Sequence, residues 1–304
     1  MKTNTFSKIN TEAPEKAALV REFLFTDRDF EKIRTLIYDH AGINLSSAKK
    51  DMVYSRLGRR LRATGQKNFK DYLNLLVNDK GDEWESFVNA LTTNLTSFFR
   101  EAHHFPILTE HVSRIQHRPI KIWCNAASTG EEPYTIAMTI MDLFESLTPP
   151  VRIIATDIDT SALQKASNGI YSLEQAQKLP NDILTRFFLK GRGKKSGQVK
   201  VRQELRDLIE FKQLNLQDTS WPIKGPFDAI FCRNVMIYFD KPTQNKILQR
   251  FAPIMQPDAL LFAGHSESLQ GIHLFKSQGK TVYSLSEQHQ SLTSTNLASS
   301  NKTS

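Results

Sequence analysis

Residues 1–25 show no sustained period, but from Thr26 onward the apolar residues recur with the period of an α-helix. A helix is predicted to begin after Thr26, because Asp29 stands three residues later and completes a capping box. Its apolar positions recur every three or four residues and therefore share one face: Phe30, Ile33, Ile37 and Ala41. Gly42 follows directly and suits the left-handed position that ends many helices.

A second helix is predicted from Ser46 or Ser47 to about Thr64, before Gly65. Its apolar positions recur every four residues, and its arginines lie on the other side of the helix: Val53, Leu57 and Leu61 against Arg56, Arg59, Arg60 and Arg62. Periodic runs at 72–77 and 84–91 extend this pattern, so residues 26 to about 112 are predicted to be all-helical.

Beyond that region the pattern changes to short apolar runs that are typical of strands. Five such runs are KIWCNA (121–126), VRIIATD (151–157), FDAIFC (227–232), ALLFAG (259–264) and KTVYSL (280–285). Helical or irregular stretches separate the first three, which predicts right-handed crossovers and a mostly parallel sheet. The segment LKGRGKKSGQVKVR (189–202) fits no crossover helix and is predicted to be an inserted hairpin that turns at Gly191, Gly193 and Gly197.

These patterns predict an α/β protein in four parts. Residues 1–25 form a flexible arm, and residues 26–112 form a small all-α domain that ends in a linker motif. Residues 113–286 form an α/β domain that carries the inserted β-subdomain at about 186–204. Residues 287–304 are rich in Ser, Thr, Asn and Gln, a composition that predicts a disordered tail.

Composition narrows the class of protein. The chain has 304 residues, enough for roughly two domains. It has no run of about 18 apolar residues that could span a bilayer, and its first twenty residues lack the apolar core of a secretory signal. Two cysteines are too few for a disulfide framework or a four-thiolate zinc site. We therefore expect a cytoplasmic protein without direct membrane insertion.

A basic cluster covers the second predicted helix and the residues just after it. Residues 46–70 contain eight Lys and Arg but a single Asp. This excess of positive charge accounts for nearly all of the chain's net charge of +8. Such a surface favours an anionic partner, whether nucleic acid, a membrane or an acidic protein. The alternative is that these side chains form only a solvated helix face.

The turn after the first strand argues against a phosphate ligand. The segment ASTGEE (127–132) has a single glycine, Gly130, and lacks the G-x-G-x-x-G pattern that lets a pyrophosphate approach the backbone. Glu131 and Glu132 stand where that phosphate would bind and would repel it. A cationic ligand is favoured instead, such as the sulfonium and ammonium groups of S-adenosylmethionine.

Polar residues also follow the next two strands. Asp157 ends the second strand, where a carboxylate accepts hydrogen bonds from the two hydroxyls of a ribose. The alternative is that Asp157 or Asp159 only caps the following helix. Arg233 and Asn234 directly follow the strand 227–232 and are poor core residues, so they are candidates for the site; the alternative is that they are exposed loop residues.

Five motifs together resemble the chemotaxis receptor methyltransferases, the CheR family. They are LTTNLTSFFRE (91–101), ASTGEEPYT (127–135), ATDID (155–159), FCRNVMIYFD (231–240) and GHSES (264–268), and the likeness runs in order from about residue 26 to 286. The resemblance implies a Rossmann-like S-adenosylmethionine-dependent methyltransferase domain, a small all-α N-terminal domain and an inserted β-hairpin subdomain. It also implies methyl transfer to glutamates of membrane chemoreceptors for chemotactic adaptation, with S-adenosylhomocysteine as product and no metal.

The resemblance assigns roles to positions that match the family's motifs. The implied cofactor contacts are Asn94, Thr96, Arg100, Glu131, Asp157, Asn215, Leu216, Arg233 and Asn234. Arg100 would also attract and orient the receptor carboxylate, and Tyr238 would line the methyl-transfer side. No general base is expected, because a glutamate with a pKa of about 4.3 is already ionised at neutral pH.

The implied partners are the cytoplasmic domains of membrane chemoreceptors. Arg56, Arg59 and Arg60 would attract the acidic, methyl-accepting helices. Some members of the family tether a peptide from the receptor's C-terminus at a glycine-bearing loop, which GRGKKSG (191–197) resembles. The strand at 199–201 would be the docking edge for that peptide; the alternative is that the hairpin is only a structural flap.

Two other functions compete with receptor methylation. A nucleic-acid methyltransferase could use the basic helix, but residues 46–70 contain only two aromatic side chains, Tyr54 and Phe69, for base stacking. A non-catalytic sensor could bind the same cofactor without using it. Intact Arg100, Glu131 and Asp157 argue against that alternative.

Overall fold

Four helices of the N-terminal region share a core of their own. The computed structural model describes residues 21–78, 81–269, 273–287 and 289. Most of the predicted arm and nearly all of the predicted tail therefore lie outside the described residues. The helices are α1 (Asp27–Ala41), α2 (Lys50–Thr64), α3 (Phe69–Asn78) and α4 (Asp82–Leu91).

The sequence signals of the first two helices are confirmed. Thr26 and Asp29 form the predicted capping box, and Gly42 and Gly65 end α1 and α2 in the left-handed conformation. A short 3₁₀ turn at Ser47–Lys49 precedes α2, so the α-helix begins later than predicted. The predicted apolar stripes of both helices are buried in one cluster that extends to Leu91.

The remaining helices pack against the strands of the two sheets described below. They are α5 (His104–Arg114), α6 (Glu131–Phe144), α7 (Thr160–Asn168), α8 (Leu173–Ala176), α9 (Asn181–Phe187), α10 (Gln203–Asp207) and α11 (Lys241–Phe251). The buried face of α5 belongs to the core of the sheet. The prediction of one helical region up to residue 112 did not separate α5 from the first four helices.

The central sheet is mixed and mostly parallel. Its strands are β1 (Ile120–Cys124), β2 (Val151–Asp157), β6 (Ile209–Gln213), β7 (Phe227–Cys232), β8 (Met255–Ala263), β9 (Phe275–Gly279) and β10 (Val282–Leu285). The order is β6-β2-β1-β7-β8-β10-β9, and only the pairs made by β10 are antiparallel. This is a Rossmann-like α/β arrangement, with the carboxyl ends of β1, β2 and β7 side by side.

The inserted sheet is larger than the predicted hairpin. It contains β3 (Ile170–Ser172), β4 (Phe188–Lys190) and β5 (Gln198–Val201), all antiparallel, in the order β3-β5-β4. The prediction of 199–201 as a docking edge is wrong, because β5 lies between two partners. The third strand escaped prediction because it has only three residues, of which Ile170 and Ser172 are exposed.

Polar contacts hold the end of α1 against the loops of the sheet. The Tyr38 hydroxyl donates to Asp240 at 2.7 Å, and the backbone N–H of Asn44 donates to the carbonyl of Tyr238 at 2.8 Å. The N-terminal helices therefore border the edge where the parallel strands end. Among the described residues, no helix combines the length and the apolar character needed to cross a membrane.

Candidate functional site

A cavity lies between the linker that follows α4 and the carboxyl ends of three parallel strands. Its walls are residues 92–96 and 100 of the linker, 126, 128 and 132 after β1, 157–158 at the end of β2, and 233–235 after β7. Six of the predicted cofactor residues line it: Asn94, Thr96, Arg100, Asp157, Arg233 and Asn234. Residues that are far apart in sequence thus meet where an open parallel sheet commonly binds its ligand.

The two acidic residues at the end of β2, Asp157 and Asp159, make different contacts. Asp159 caps α7 by accepting the backbone N–H of Ala162 at 3.0 Å. Asp157 instead lines the cavity and accepts the backbone N–H groups of Ser128 at 2.7 Å and of Asp159 at 2.9 Å. Burial raises the pKa of Asp157 to about 6, although these backbone donors oppose the shift. A carboxylate has further lone pairs, so Asp157 can still accept the hydroxyls of a ribose.

Asp159 also fixes the beginning of the linker. Its Oδ2 accepts the hydroxyl of Thr92 and the amide of Asn94, each at 2.6 Å. Ser128 donates its hydroxyl to the amide oxygen of Asn94 at 3.2 Å. Asn94 is therefore held by the loops after β1 and β2, close to Asp157.

The end of the linker is held by a second set of contacts around Arg100. The Arg100 guanidinium donates to the carbonyl of Leu95 at 2.9 Å, and Arg233 donates to the carbonyl of Arg100. Phe99 and Glu101 both have positive φ angles, 52° and 53°. Such angles cost energy for residues with a side chain and persist only where surrounding contacts impose them. The backbone on both sides of Arg100 is thus tightly constrained.

Arg233 is buried at the centre of an ionic cluster. Its guanidinium lies 2.9 Å from the carboxylate of Glu132 and 3.6 Å from that of Glu101. Burial raises the pKa of Glu132, and the charge of Arg233 opposes that shift. Glu101 also accepts the backbone N–H of His265 at 3.1 Å. Sequence reasoning missed Glu101 and Ser128 and noted Glu132 only as a repulsive charge.

Glu131 lies next to the cavity rather than in its wall. It is buried, accepts the hydroxyl of Thr129 at 2.6 Å, and lines a neighbouring cavity of about 620 Å³. Thr96 lines both cavities, so this residue marks the place where they adjoin. Glu131 therefore shares a cavity with Thr96, another predicted cofactor residue, but not with Asp157.

Three further predicted residues do not line this cavity. Asn215 donates its side-chain amide to the carbonyl of His40 at 2.6 Å, and Leu216 is buried. The preceding residue, Leu214, donates its backbone N–H to the carbonyl of Asp157, so this loop lies beside Asp157. Tyr238 is half-buried in the segment that follows β7.

The basic cluster of α2 is divided between structural and free side chains. Arg56 donates to the carbonyls of Ala90 and Thr92. Arg60 donates to Glu83 at 3.1 Å, and that carboxylate also accepts a hydroxyl from α3. Arg59 is exposed. The expectation that Arg56 and Arg60 are presented to a partner therefore needs correction, because both are occupied by contacts within the chain.

The predicted glycine loop lies between β4 and β5. Gly193 and Gly197 have positive φ angles of 57° and 82°, whereas Gly191 is required by a close approach, since a Cβ there would meet the carbonyl oxygen of Lys195 at 2.0 Å. Lys194 and Lys195 are exposed at the tip. The loop is thus basic, tightly turned and adjacent to β4, an outer strand of the inserted sheet.

Comparison with known proteins covers nearly all of residues 28–284. The family described as "CheR methyltransferase, all-alpha domain" matches residues 28–92, and "CheR methyltransferase, SAM binding domain" matches residues 94–284. The chain is 49% identical over 277 residues to chemotaxis protein methyltransferase 2 of Pseudomonas aeruginosa, covering 90% of this chain and 99% of that protein. It is 51% identical over 271 residues to the chemotaxis protein methyltransferase of Salmonella typhimurium, covering 88% and 94%. The corresponding Escherichia coli protein is 50% identical over 271 residues, with the same coverage.

Proposed function

The chain belongs to the CheR methyltransferase family, and we propose that it transfers the methyl group of S-adenosylmethionine to glutamate side chains of chemoreceptors. The products are glutamate methyl esters and S-adenosylhomocysteine. The observation that carries this proposal is the cavity itself, which is lined both by an acid suited to a ribose, Asp157, and by a constrained arginine, Arg100. An acid for the cofactor and a cation for an incoming carboxylate are the two groups that this reaction needs.

The reaction is an in-line displacement and consumes no proton. A carboxylate oxygen of the receptor glutamate attacks the methyl carbon, and the electron pair of the carbon–sulfur bond passes to sulfur. The glutamate is ionised at neutral pH, so no general base is required. Catalysis then depends on holding the two reactants in line.

Arg100 attracts and orients the incoming carboxylate. Its guanidinium is already held by the carbonyl of Leu95, which leaves other N–H groups free for the substrate. An arginine that bound the carboxylate very tightly would stabilise the ground state and slow the reaction. Orientation rather than clamping is therefore the proposed role, and Tyr238 is proposed to border the same methyl-transfer side.

The cofactor contacts follow the walls of the cavity. S-adenosylmethionine supplies an activated methyl group on a sulfonium. Asp157 accepts the ribose hydroxyls, the loop with Asn215 and Leu216 borders the adenine, and Asn94, Thr96, Glu131 and Asn234 bind the remaining polar groups. Arg233, held by Glu132, fixes the backbone of Arg100 and completes the wall.

Methyl transfer from labelled cofactor tests the activity. The purified protein should label an isolated chemoreceptor cytoplasmic domain, and mild base should release the label as methanol, because carboxyl methyl esters hydrolyse readily. Label that survives base, or label on added nucleic acid but not on receptor, would overturn the proposal and favour the nucleic-acid alternative.

Receptor recognition is proposed to use the exposed part of the basic helix, on the cytoplasmic side of the membrane. Because Arg56 and Arg60 are occupied, Arg59 is the arginine we test. Arg59→Glu should raise the KM for the receptor domain without changing cofactor affinity, whereas Arg114→Glu on α5, another exposed arginine, should not. If the KM for the receptor domain is unchanged in Arg59→Glu, the basic face of α2 is only solvated and does not bind the receptor.

A second contact is proposed at the inserted sheet. The outer strand β4 can pair with an extended peptide, and Lys194 and Lys195 beside it favour the terminal carboxylate of a receptor C-terminus. Gly193→Val should weaken micromolar binding of such a pentapeptide, because its φ of 57° strains a valine. Gly279→Val, at another positive-φ glycine with open space around it, is the matched control. If no receptor C-terminal peptide binds the wild type, the inserted sheet is only a structural flap.

A further inference from the structure

The mouth of the cavity carries a large apolar side chain that faces water. Leu95 lines the cavity, yet 81% of its surface is exposed. Its own carbonyl accepts the guanidinium of Arg100 at 2.9 Å. We propose that the Leu95 side chain contacts the receptor beside the reacting glutamate, while its carbonyl positions Arg100 for that glutamate; this inference rests on the proposed function.

The exposure of Leu95 does not reflect a loose loop. One residue earlier, Asn94 is bound by Asp159 and Ser128, and at the end of the linker Arg233 holds the carbonyl of Arg100. A side chain on a fixed backbone loses little conformational freedom when a partner covers it. An apolar surface of this kind is therefore suited to binding another protein.

The reaction itself brings the receptor to this rim. The attacking oxygen must come within roughly 3–3.5 Å of the methyl carbon, so the receptor backbone must press against the opening of the cavity. Leu95 stands on the linker side of this opening. The segment after β7, whose residues 233–235 line the cavity, carries a second exposed apolar residue, Ile237, whose backbone N–H is bound by Glu267 at 3.3 Å.

These positions define the kind of partner surface that fits. The receptor segment must present a carboxylate to Arg100 and apolar side chains to Leu95 and Ile237. On a helix, side chains three or four residues apart lie on the same face. The expected partner is thus a receptor helix with an apolar residue three or four positions from the methylated glutamate.

Two leucine variants test the inference. Leu95→Ala removes the side chain but keeps the carbonyl that binds Arg100. The control is Leu147→Ala: Leu147 is 61% exposed and lies beyond the far end of α6, whose 14 residues span about 20 Å from the cavity. Steady-state kinetics are measured with the receptor cytoplasmic domain as the varied substrate, and S-adenosylhomocysteine affinity by calorimetry.

The expected result separates binding from turnover. Leu95→Ala should raise the KM for the receptor by about tenfold or more and leave kcat and S-adenosylhomocysteine affinity close to wild type. Leu147→Ala should match wild type in all three. An unchanged receptor KM in Leu95→Ala, or a loss of S-adenosylhomocysteine affinity, would overturn the inference. Failure of the wild type to methylate receptors would instead overturn the proposed function.

Discussion

Acidification should weaken cofactor binding through one carboxyl group, that of Asp157. Burial raises its pKa to about 6 in the cofactor-free protein, and only its ionised form can accept both ribose hydroxyls. Protonation therefore competes with binding, and the apparent dissociation constant rises by the factor one plus ten to the power of pKa minus pH. That factor is about 11 at pH 5 and about 1 at pH 7.5, so S-adenosylhomocysteine affinity should fall roughly tenfold.

Calorimetric titration at several pH values between 5 and 7.5 measures this effect, and Asp157→Asn isolates its source. Burial also raises the pKa values of Glu132 and Glu267 nearby, so wild-type data alone would not identify the group. The asparagine variant should bind more weakly at pH 7.5 and show little pH dependence. The reasoning would be refuted if the wild-type affinity stayed constant down to pH 5. It would also be refuted if the affinity of Asp157→Asn fell between pH 7.5 and pH 5 by the same factor as that of the wild type.

The raised pKa of Asp157 also makes the stability of the protein without cofactor depend on pH. Because the folded pKa lies above the unfolded value of 3.8, this group favours folding most below that value, and the contribution is lost as pH rises through about 6. Asp157→Asn resembles the protonated form. Relative to wild type, it should therefore raise the melting temperature more at pH 7.5 than at pH 5.

Three further substitutions probe the linker, the site and the basic helix. Asp159→Asn should weaken S-adenosylhomocysteine binding and lower stability by about 1–3 kcal/mol, as measured by calorimetry and urea unfolding, because it disturbs the contacts to Thr92 and Asn94; wild-type values for both would contradict this role. Arg100→Ala should reduce kcat about a hundredfold or more with little change in melting temperature, and a wild-type methylation rate would exclude its role. Arg60→Ala should lower the unfolding free energy by about 1–3 kcal/mol, because it removes the contact to Glu83. Arg59→Ala, at an exposed position, should change it by no more than about 0.5 kcal/mol. Equal effects would contradict the view that Arg60 is structural and Arg59 is free.

Local chemistry explains which elements could be predicted from the sequence. The capping box at Thr26 and the glycines after α1 and α2 act within one helical turn, so their signals lie close together in the chain. The strands β6 and β9 went unpredicted because both lie at the edges of the central sheet and expose polar side chains. An edge strand needs little apolar character on its outer side, and its pairing depends on a distant neighbour.

The candidate site shows the same difference between local signals, which the sequence reveals, and long-range contacts, which it does not. Asp157 can be predicted because it ends a largely buried strand, and the alternative that Asp159 caps the following helix is confirmed. The second role of Asp159, which is to hold the linker through Thr92 and Asn94, depends on residues more than sixty positions away. The pairing of Glu132, in the first turn of α6, with Arg233, directly after β7, likewise joins distant parts of the chain, so no local sequence pattern predicts it.

Peptide mass spectrometry of the receptor tests the central claim most directly. A chemoreceptor cytoplasmic domain is incubated with S-adenosylmethionine and either the wild type or Asp157→Asn at pH 7.5, then digested and sequenced by fragmentation. The account predicts one added methyl group on specific glutamate side chains with the wild type, at strongly reduced occupancy with Asp157→Asn. Methylation on any other residue type, or equal occupancy with both proteins, would contradict it.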